Sequence, residues 1–178
     1  MPGWKTLKSR QVFANCRFSV HEDDLLRPDK TSGKYYYTKS SPGVVIVPFD
    51  GKKIYLVNQY RYILKKRLWE LPAGKAESSN YLTQAKKELR EETGITAGHW
   101  KFLGTVASSP GSSNSLAKVY LATDLSFGPH CRELGERDMY SRAFSLSELD
   151  RMILAGKLFD SWALFSLHLF KLYWKKHL

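Results

Sequence analysis

Three glutamates, Glu88, Glu91 and Glu92, lie within the five-residue run Glu88-Leu89-Arg90-Glu91-Glu92. On a helix they fall at i, i+3 and i+4 and share one face. Like charges at that spacing repel by about 0.2–0.5 kcal/mol per neighbouring pair on an exposed helix. Lys87 reaches Glu91 at i,i+4, but one ammonium does not neutralise three carboxylates. A hard divalent cation does, because Mg²⁺ prefers carboxylate oxygens and fills its remaining positions with water and substrate phosphate. Mn²⁺ has similar ligand preferences. The chemistry suggested is metal-assisted attack on a phosphoryl group.

The segment carrying these acids has helix signals at both ends. Ser78, Ser79 or Asn80 can cap its start, and Gly94 can end it in the left-handed conformation. The acids sit near the helix C-terminus, where the dipole is negative and carboxylates are locally unfavourable. A helix built for stability alone would carry them at the other end. Leu71-Pro72-Ala73-Gly74-Lys75 is a tight turn leading out of a strand.

The stretch Leu71 to Ile95 resembles the signature box of the Nudix hydrolases, G-x5-E-x7-R-E-U-x-E-E-x-G-U, with U aliphatic. Gly74 opens it, and Glu88-Leu89-Arg90-Glu91-Glu92-Thr93-Gly94-Ile95 closes it. There are three departures. The loop after Gly74 is one residue short, the first glutamate of the pattern falls on Ser79, and its arginine falls on Lys87, which keeps the charge but not the bidentate geometry. The resemblance implies an α+β fold, an α/β/α sandwich around a mixed central sheet. It implies metal binding by Glu88, Glu91 and Glu92, with the carbonyl of Ala73 as a further ligand. Glu91 and Glu92 are also catalytic candidates.

The flanks narrow the resemblance to the enzymes that cleave ADP-ribose or other nucleoside diphosphate sugars. Gln59-Tyr60-Arg61 is followed by Trp69-Glu70-Leu71-Pro72-Ala73-Gly74, and Pro110 lies 15 residues past Ile95 in a Ser109-Pro110-Gly111 setting. In that branch Arg61 would contact a phosphate and Glu70 would support the site. Each residue also has a plain structural reading, Arg61 as a strand-end arginine and Glu70 as a salt-bridging acid. Ala107 to Ser115 is a loop of small polar residues whose N–H groups and hydroxyls can line a phosphate or ribose pocket, or simply connect two strands. The resemblance also implies, in the polar segment Phe127 to Met139, an acid that activates the attacking water or adds a metal contact, with Glu136 the first candidate and Asp138 and Glu133 behind it.

Residues 1–40 read as a small β region, with strands at Val12-Phe13-Ala14, at Arg17-Phe18-Ser19-Val20 and around Tyr35-Tyr36-Tyr37, and a hairpin turn from Arg27 to Gly33. The resemblance makes this a dimerisation element, with Trp4 and Tyr36 as candidates to hold a base. Residues 41–178 read as the catalytic domain. Gly43 to Phe49 is a continuous apolar run suited to a strand buried on both faces. Asp50-Gly51 reads as a hairpin turn returning through Ile54 to Arg61, with Lys65-Lys66-Arg67 as a basic loop. Further strands are expected at Lys101–Val106 and Ala117–Ala122. Two helices follow, from Ser145 to Gly156 and from a cap at Asp160 or Ser161 onward.

Composition sets limits on these readings. The 178 residues are 43% hydrophobic, enough for a sizeable core. Cys16 and Cys131 have neither metal nor redox spacing. The start is too polar for a signal peptide. The uncharged run Ser161 to Phe170 is too short to span a bilayer, so a cytoplasmic protein without membrane association is expected. The net charge of +11 favours anionic partners, first of all a small nucleotide. Two other readings stay open: hydrolysis of RNA 5′ ends or dinucleoside polyphosphates, which the charge suggests, and a non-catalytic nucleotide-binding domain, which the short box and Ser79 suggest.

Overall fold

The computed structural model describes residues 3–130 and 138–177. The chain divides into two compact units. One comprises the N-terminal segment through Pro42 together with Ala107–Leu116, and the other comprises Gly43–Val106 and the chain from Ala117 onward.

The first unit is an antiparallel sheet of β1 (Lys5–Ala14), β2 (Ser19–Leu26) and β3 (Ser32–Lys39) in that order. The first strand is much longer than the three residues expected, because pairing with β2 runs from Lys5↔Leu26 to Ala14↔Ser19. The segment 17–20 is not all strand. Asn15 Oδ1 accepts from the N–H groups of Arg17 and Phe18 at 2.8 and 2.9 Å, which makes a turn there. The expected turn after Arg27 forms, with Asp29 Oδ1 accepting from the Thr31 N–H at 3.0 Å.

The loop after residue 107 is ordered by this sheet. Ser112 O accepts from the Thr38 N–H at 2.8 Å, Asn114 N–H donates to Thr38 O at 3.2 Å, and Asn114 Oδ1 accepts from the Ser40 N–H at 3.0 Å.

The second unit is layered. Its four-stranded mixed sheet has the order β7 (Ala73–Lys75), β4 (Gly43–Pro48), β9 (Leu116–Phe127), β8 (Ile95–Ala107). Strand β4 runs antiparallel to β7 and parallel to β9. Because side chains alternate along a strand, the apolar run of β4 feeds two cores. Val44 and Ile46 pack with Ala85 and Leu89 of helix α1 (Tyr81–Thr93). Val45 and Val47 pack with Ala163, Leu167 and Phe170 of helix α3 (Ser161–His177). Each fully buried Leu or Phe of this kind contributes about 1.5–3 kcal/mol.

Asp50-Gly51 is a turn, but the strands on either side join different sheets. Strand β5 (Lys53–Arg61) lies between β10 (Tyr140–Ser145) and β6 (Lys66–Glu70) in a separate antiparallel sheet. The two sides of the turn are linked by the isolated bridge Phe49↔Ile54 and the Asp50 N–H bond to Lys53 O at 3.2 Å, not by a continuous ladder. The expected basic loop is also mostly strand. Tyr62–Leu64 forms a 3-10 turn, and Lys66 and Arg67 already pair with Arg61 and Tyr60. Helix α2 (Leu146–Leu154) starts at a complete capping box of Ser145 and Glu148. Asp160 caps α3 by accepting from the Ala163 N–H at 2.8 Å.

Candidate active site

Helix α1 is fixed at both ends by its own sequence. Asn80 Oδ1 accepts from the Thr83 N–H at 3.1 Å. Gly94 closes the helix at φ 74°, with its N–H bonded to Arg90 O at 2.9 Å. A Cβ at Gly94 would overlap Gly128 O, so both the left-handed backbone and the close approach call for glycine. Leu89 and Ala85 lock the apolar face of the helix into the core. The polar face is thereby turned toward β7.

Two carboxylates reach that strand. Glu92 is buried, and its Oε2 accepts from the Ala73 N–H at 3.3 Å. Glu88 lies against Gly74 so closely that a Cβ there would overlap its carboxylate. The box glycine is therefore the clearance that Glu88 needs. Glu88 Oε1 also accepts from Gln84 Nε2 at 2.7 Å, and Gln84 is itself buried. The sequence reading missed Gln84, although its i,i+4 spacing to Glu88 was visible.

Glu91 is half-buried. Its negative charge, then that of Glu77, raises the Lys87 ammonium above its ordinary pKa. Lys87 Nζ lies 3.5 Å from Glu77 Oε1. At the position of the family's arginine, lysine thus serves as a counter-charge to Glu91 and Glu77. Among the described residues, no three His, Cys, Asp or Glu side chains are grouped so that they could hold a metal ion between them.

Arg61 and Glu70 form a bidentate pair through Arg61 Nε, at 2.7 Å, and Nη2. Glu70 is buried, whereas about half of the Arg61 side chain is exposed. The hydrogen bond to Glu70 holds the Arg61 guanidinium above its ordinary pKa, and the charges of Asp160 and Glu92 add to this. Asp160 is a second residue the sequence reading did not place here. Trp162, two residues on, sits beside Gly43 and the Gly74 carbonyl, since a Cβ on Gly43 would meet its ring at 2.9 Å and that carbonyl at 3.2 Å.

The remaining candidates have the following surroundings within their own units. Ser109, Pro110 and Gly111 belong to the first unit, where Ser109 O accepts from the N–H groups of Ser112 and Ser113 at 3.0 and 2.9 Å. Gly111 O accepts from the Tyr35 hydroxyl. Trp4 and Tyr36 are exposed on the N-terminal sheet. Asp138 is paired with Arg67, Oδ2 to Nη1 at 2.6 Å. Glu136 and Glu133 lie outside the described residues.

A NUDIX domain model matches residues 39–166. An ADP-ribose pyrophosphatase of Mycobacterium tuberculosis (strain ATCC 25618 / H37Rv) is 32% identical over 172 residues, covering 90% of this chain and 80% of that protein. A methanol dehydrogenase activator of Bacillus methanolicus is 29% identical over 160 residues, covering 88% and 86%. An ADP-ribose pyrophosphatase of Bacillus subtilis (strain 168) is 28% identical over 160 residues, with the same coverage. The crystal structure of an ADP compounds hydrolase superposes with a TM-score of 0.88 at 18% identity, covering 98% of this chain and 95% of that one, a likeness of fold. A domain match across most of the sequence, together with a relative above 30% identity over nine-tenths of it, shows that the chain belongs to the Nudix family.

Proposed function

We propose that this protein hydrolyses the pyrophosphate bond of ADP-ribose, or of a related nucleoside diphosphate sugar, to a nucleoside monophosphate and a sugar phosphate. The observation that carries this reading is the convergence of Glu88 and Glu92 on Ala73 and Gly74. It supplies two fixed carboxylates beside the half-buried backbone of β7, where a diphosphate can lie. The relatives named as ADP-ribose pyrophosphatases favour ADP-ribose as the substrate.

The residues fit a divalent cation, with Mg²⁺ first and Mn²⁺ as a substitute. Mg²⁺ is usually held by one or two carboxylates plus water and substrate phosphate, not by a closed protein cage, so two converging glutamates suffice. Glu88 and Glu92 would hold it, with Glu91 beside them and the Ala73 carbonyl as a further ligand. When bound, the cation neutralises charge on the phosphoryl oxygens and acidifies a water molecule.

The chain's own groups do the rest. Gly74 keeps the Glu88 carboxylate against β7. The Ala73 N–H and burial orient Glu92. Glu70 grips Arg61 through Nε and Nη2, which leaves Nη1 to donate to a phosphate oxygen. Glu91 or Glu136 accepts the proton of the attacking water.

Homodimerisation through the N-terminal sheet belongs to the same proposal. Trp4, Leu7, Val12, Phe13 and Phe18 are all exposed there, with the Phe13 and Phe18 rings 5.9 Å apart, and exposed large apolar side chains of this kind favour an interface. Tyr36 and Trp4 are the residues of that sheet available to a base.

The test is product analysis on ADP-ribose, UDP- and GDP-sugars and a 5′-triphosphate RNA, each with Mg²⁺ or with EDTA. Mg²⁺-dependent AMP and ribose 5-phosphate from ADP-ribose is the expected result. Cleavage of the RNA alone would overturn the proposal.

A further inference from the structure

We propose a second ligand site in this protein, one for a nucleoside monophosphate, in the groove between α1 and the start of β8. Lys86 and Arg90 fall on the face of α1 opposite Glu88 and Glu92, and the groove shares only Glu91 with the proposed metal site; the proposal does not depend on which bond those acids help to cut. Its volume is about 460 Å³, within the range of sites that hold one small molecule, about 300–1,000 Å³.

The lining is cationic. Lys86 and Arg90 stand at i,i+4 on the exposed face of α1, and Lys87 adds a third positive charge. Like charges at i,i+4 disfavour the helix. Neither Lys86 nor Arg90 has an acidic partner among the described residues, whereas Lys87 is offset by Glu77 and Glu91. Among the described residues Glu91 is the only carboxylate in the lining, so these side chains carry a net positive charge. A phosphate between Lys86 and Arg90 would relieve their repulsion, and guanidinium is well matched to phosphate oxygens.

The remaining wall is aromatic. Trp100 lines the groove, and its Nε1–H donates to Ala97 O at 3.1 Å, which fixes the indole. A fixed ring costs little ordering on binding and accepts a base by stacking. A phosphate-binding pair and a stacking platform within one cavity of this size select a phosphorylated nucleoside over a bare anion or an apolar ligand.

Calorimetric titration of the full chain in EDTA tests the assignment, with AMP, adenosine and inorganic phosphate as probes. We expect one site for AMP, with adenosine and phosphate each binding about tenfold or more weakly. Lys86→Ala/Arg90→Ala should weaken AMP binding about tenfold or more. Trp100→Ala should weaken it about tenfold, and Trp100→Phe should restore most of the loss and show that the variant pair is folded. Glu92→Gln should leave AMP affinity unchanged. The proposal is overturned if AMP gives no heat at millimolar concentration. It is also overturned if Glu92→Gln abolishes binding while Lys86→Ala/Arg90→Ala does not, or if phosphate binds as tightly as AMP and Trp100→Ala has no effect.

Discussion

In the domain built on β4, both faces of the central strand are covered, and Val44, Val45, Ile46 and Val47 are fully buried. In the three-stranded sheet, every residue of β1 is exposed, Leu25 is the sole buried apolar side chain among the described residues, and a buried acid, Glu22, is held by Arg10 and Lys34. The first arrangement spends its apolar residues on its own core and gives the box helix a rigid seat. The second leaves its large apolar residues outward and orders its interior by charge. Under the proposed function, catalysis belongs to the first of these regions and assembly to the second, and the two should fail separately.

The largest separation is expected at Glu92. Glu92→Gln keeps the shape and the acceptor for the Ala73 N–H but removes the charge. Turnover should fall about a hundredfold or more, while the thermal midpoint stays within a few degrees of wild type, about what a 1 kcal/mol change produces. Parallel rate and melting measurements check this; a large fall in the midpoint would mean the acid is structural.

Gly74→Ala sharpens the same point without touching an acid. Its Cβ would displace the Glu88 carboxylate, the flexible end of a side chain, so stability should change little. Activity should fall about tenfold or more, since misplacing a reacting group by about 1 Å is costly. Steady-state kinetics at saturating Mg²⁺ would reveal it.

Phe13→Asp addresses the other region. It should convert a dimer to a monomer in sedimentation analysis while leaving the melting of the β4 domain unchanged. A wild-type chain that is monomeric at high concentration would contradict the assembly reading.

The smallest effect concerns Glu22. The hydrogen bond from Lys34, then that from Arg10, holds its carboxyl below the ordinary range. A depressed folded-state pKa gives stabilisation that is complete above the unfolded value, about 4.3, and is lost as pH falls through the folded value. Near-UV circular dichroism of the tyrosine-rich sheet during acid titration should show this loss, and Glu22→Gln should flatten it.

Local signals carried most of what the sequence disclosed. Asn80 and Gly94 bound α1 because caps are made by residues adjacent in the chain. The run Gly43 to Phe49 identified a strand buried on both faces because alternation did not matter there. Long-range pairing was not legible. Nothing local says that the turn at Asp50 hands the chain to another sheet, or that β1 continues back to Lys5. The small polar residues after Ala107 read as a pocket lining or a connector, and their pairing with the N-terminal sheet was hidden because the partners, Tyr35, Thr38 and Ser40, are more than 70 positions away. The site was readable in its acids and less so in their supports. Glu88 and Glu92 follow from spacing, while the fit of Glu88 over Gly74 and the grip of Glu70 on Arg61 depend on strands meeting in space.

One measurement bears most directly on the central claim: release of AMP from ADP-ribose by wild type and Glu92→Gln, each titrated with Mg²⁺ from a metal-free start. The account predicts no release without metal, saturable activation in wild type, and little activity in the variant at any Mg²⁺ concentration. Equal activity in the two proteins, or release that persists in EDTA, would contradict it.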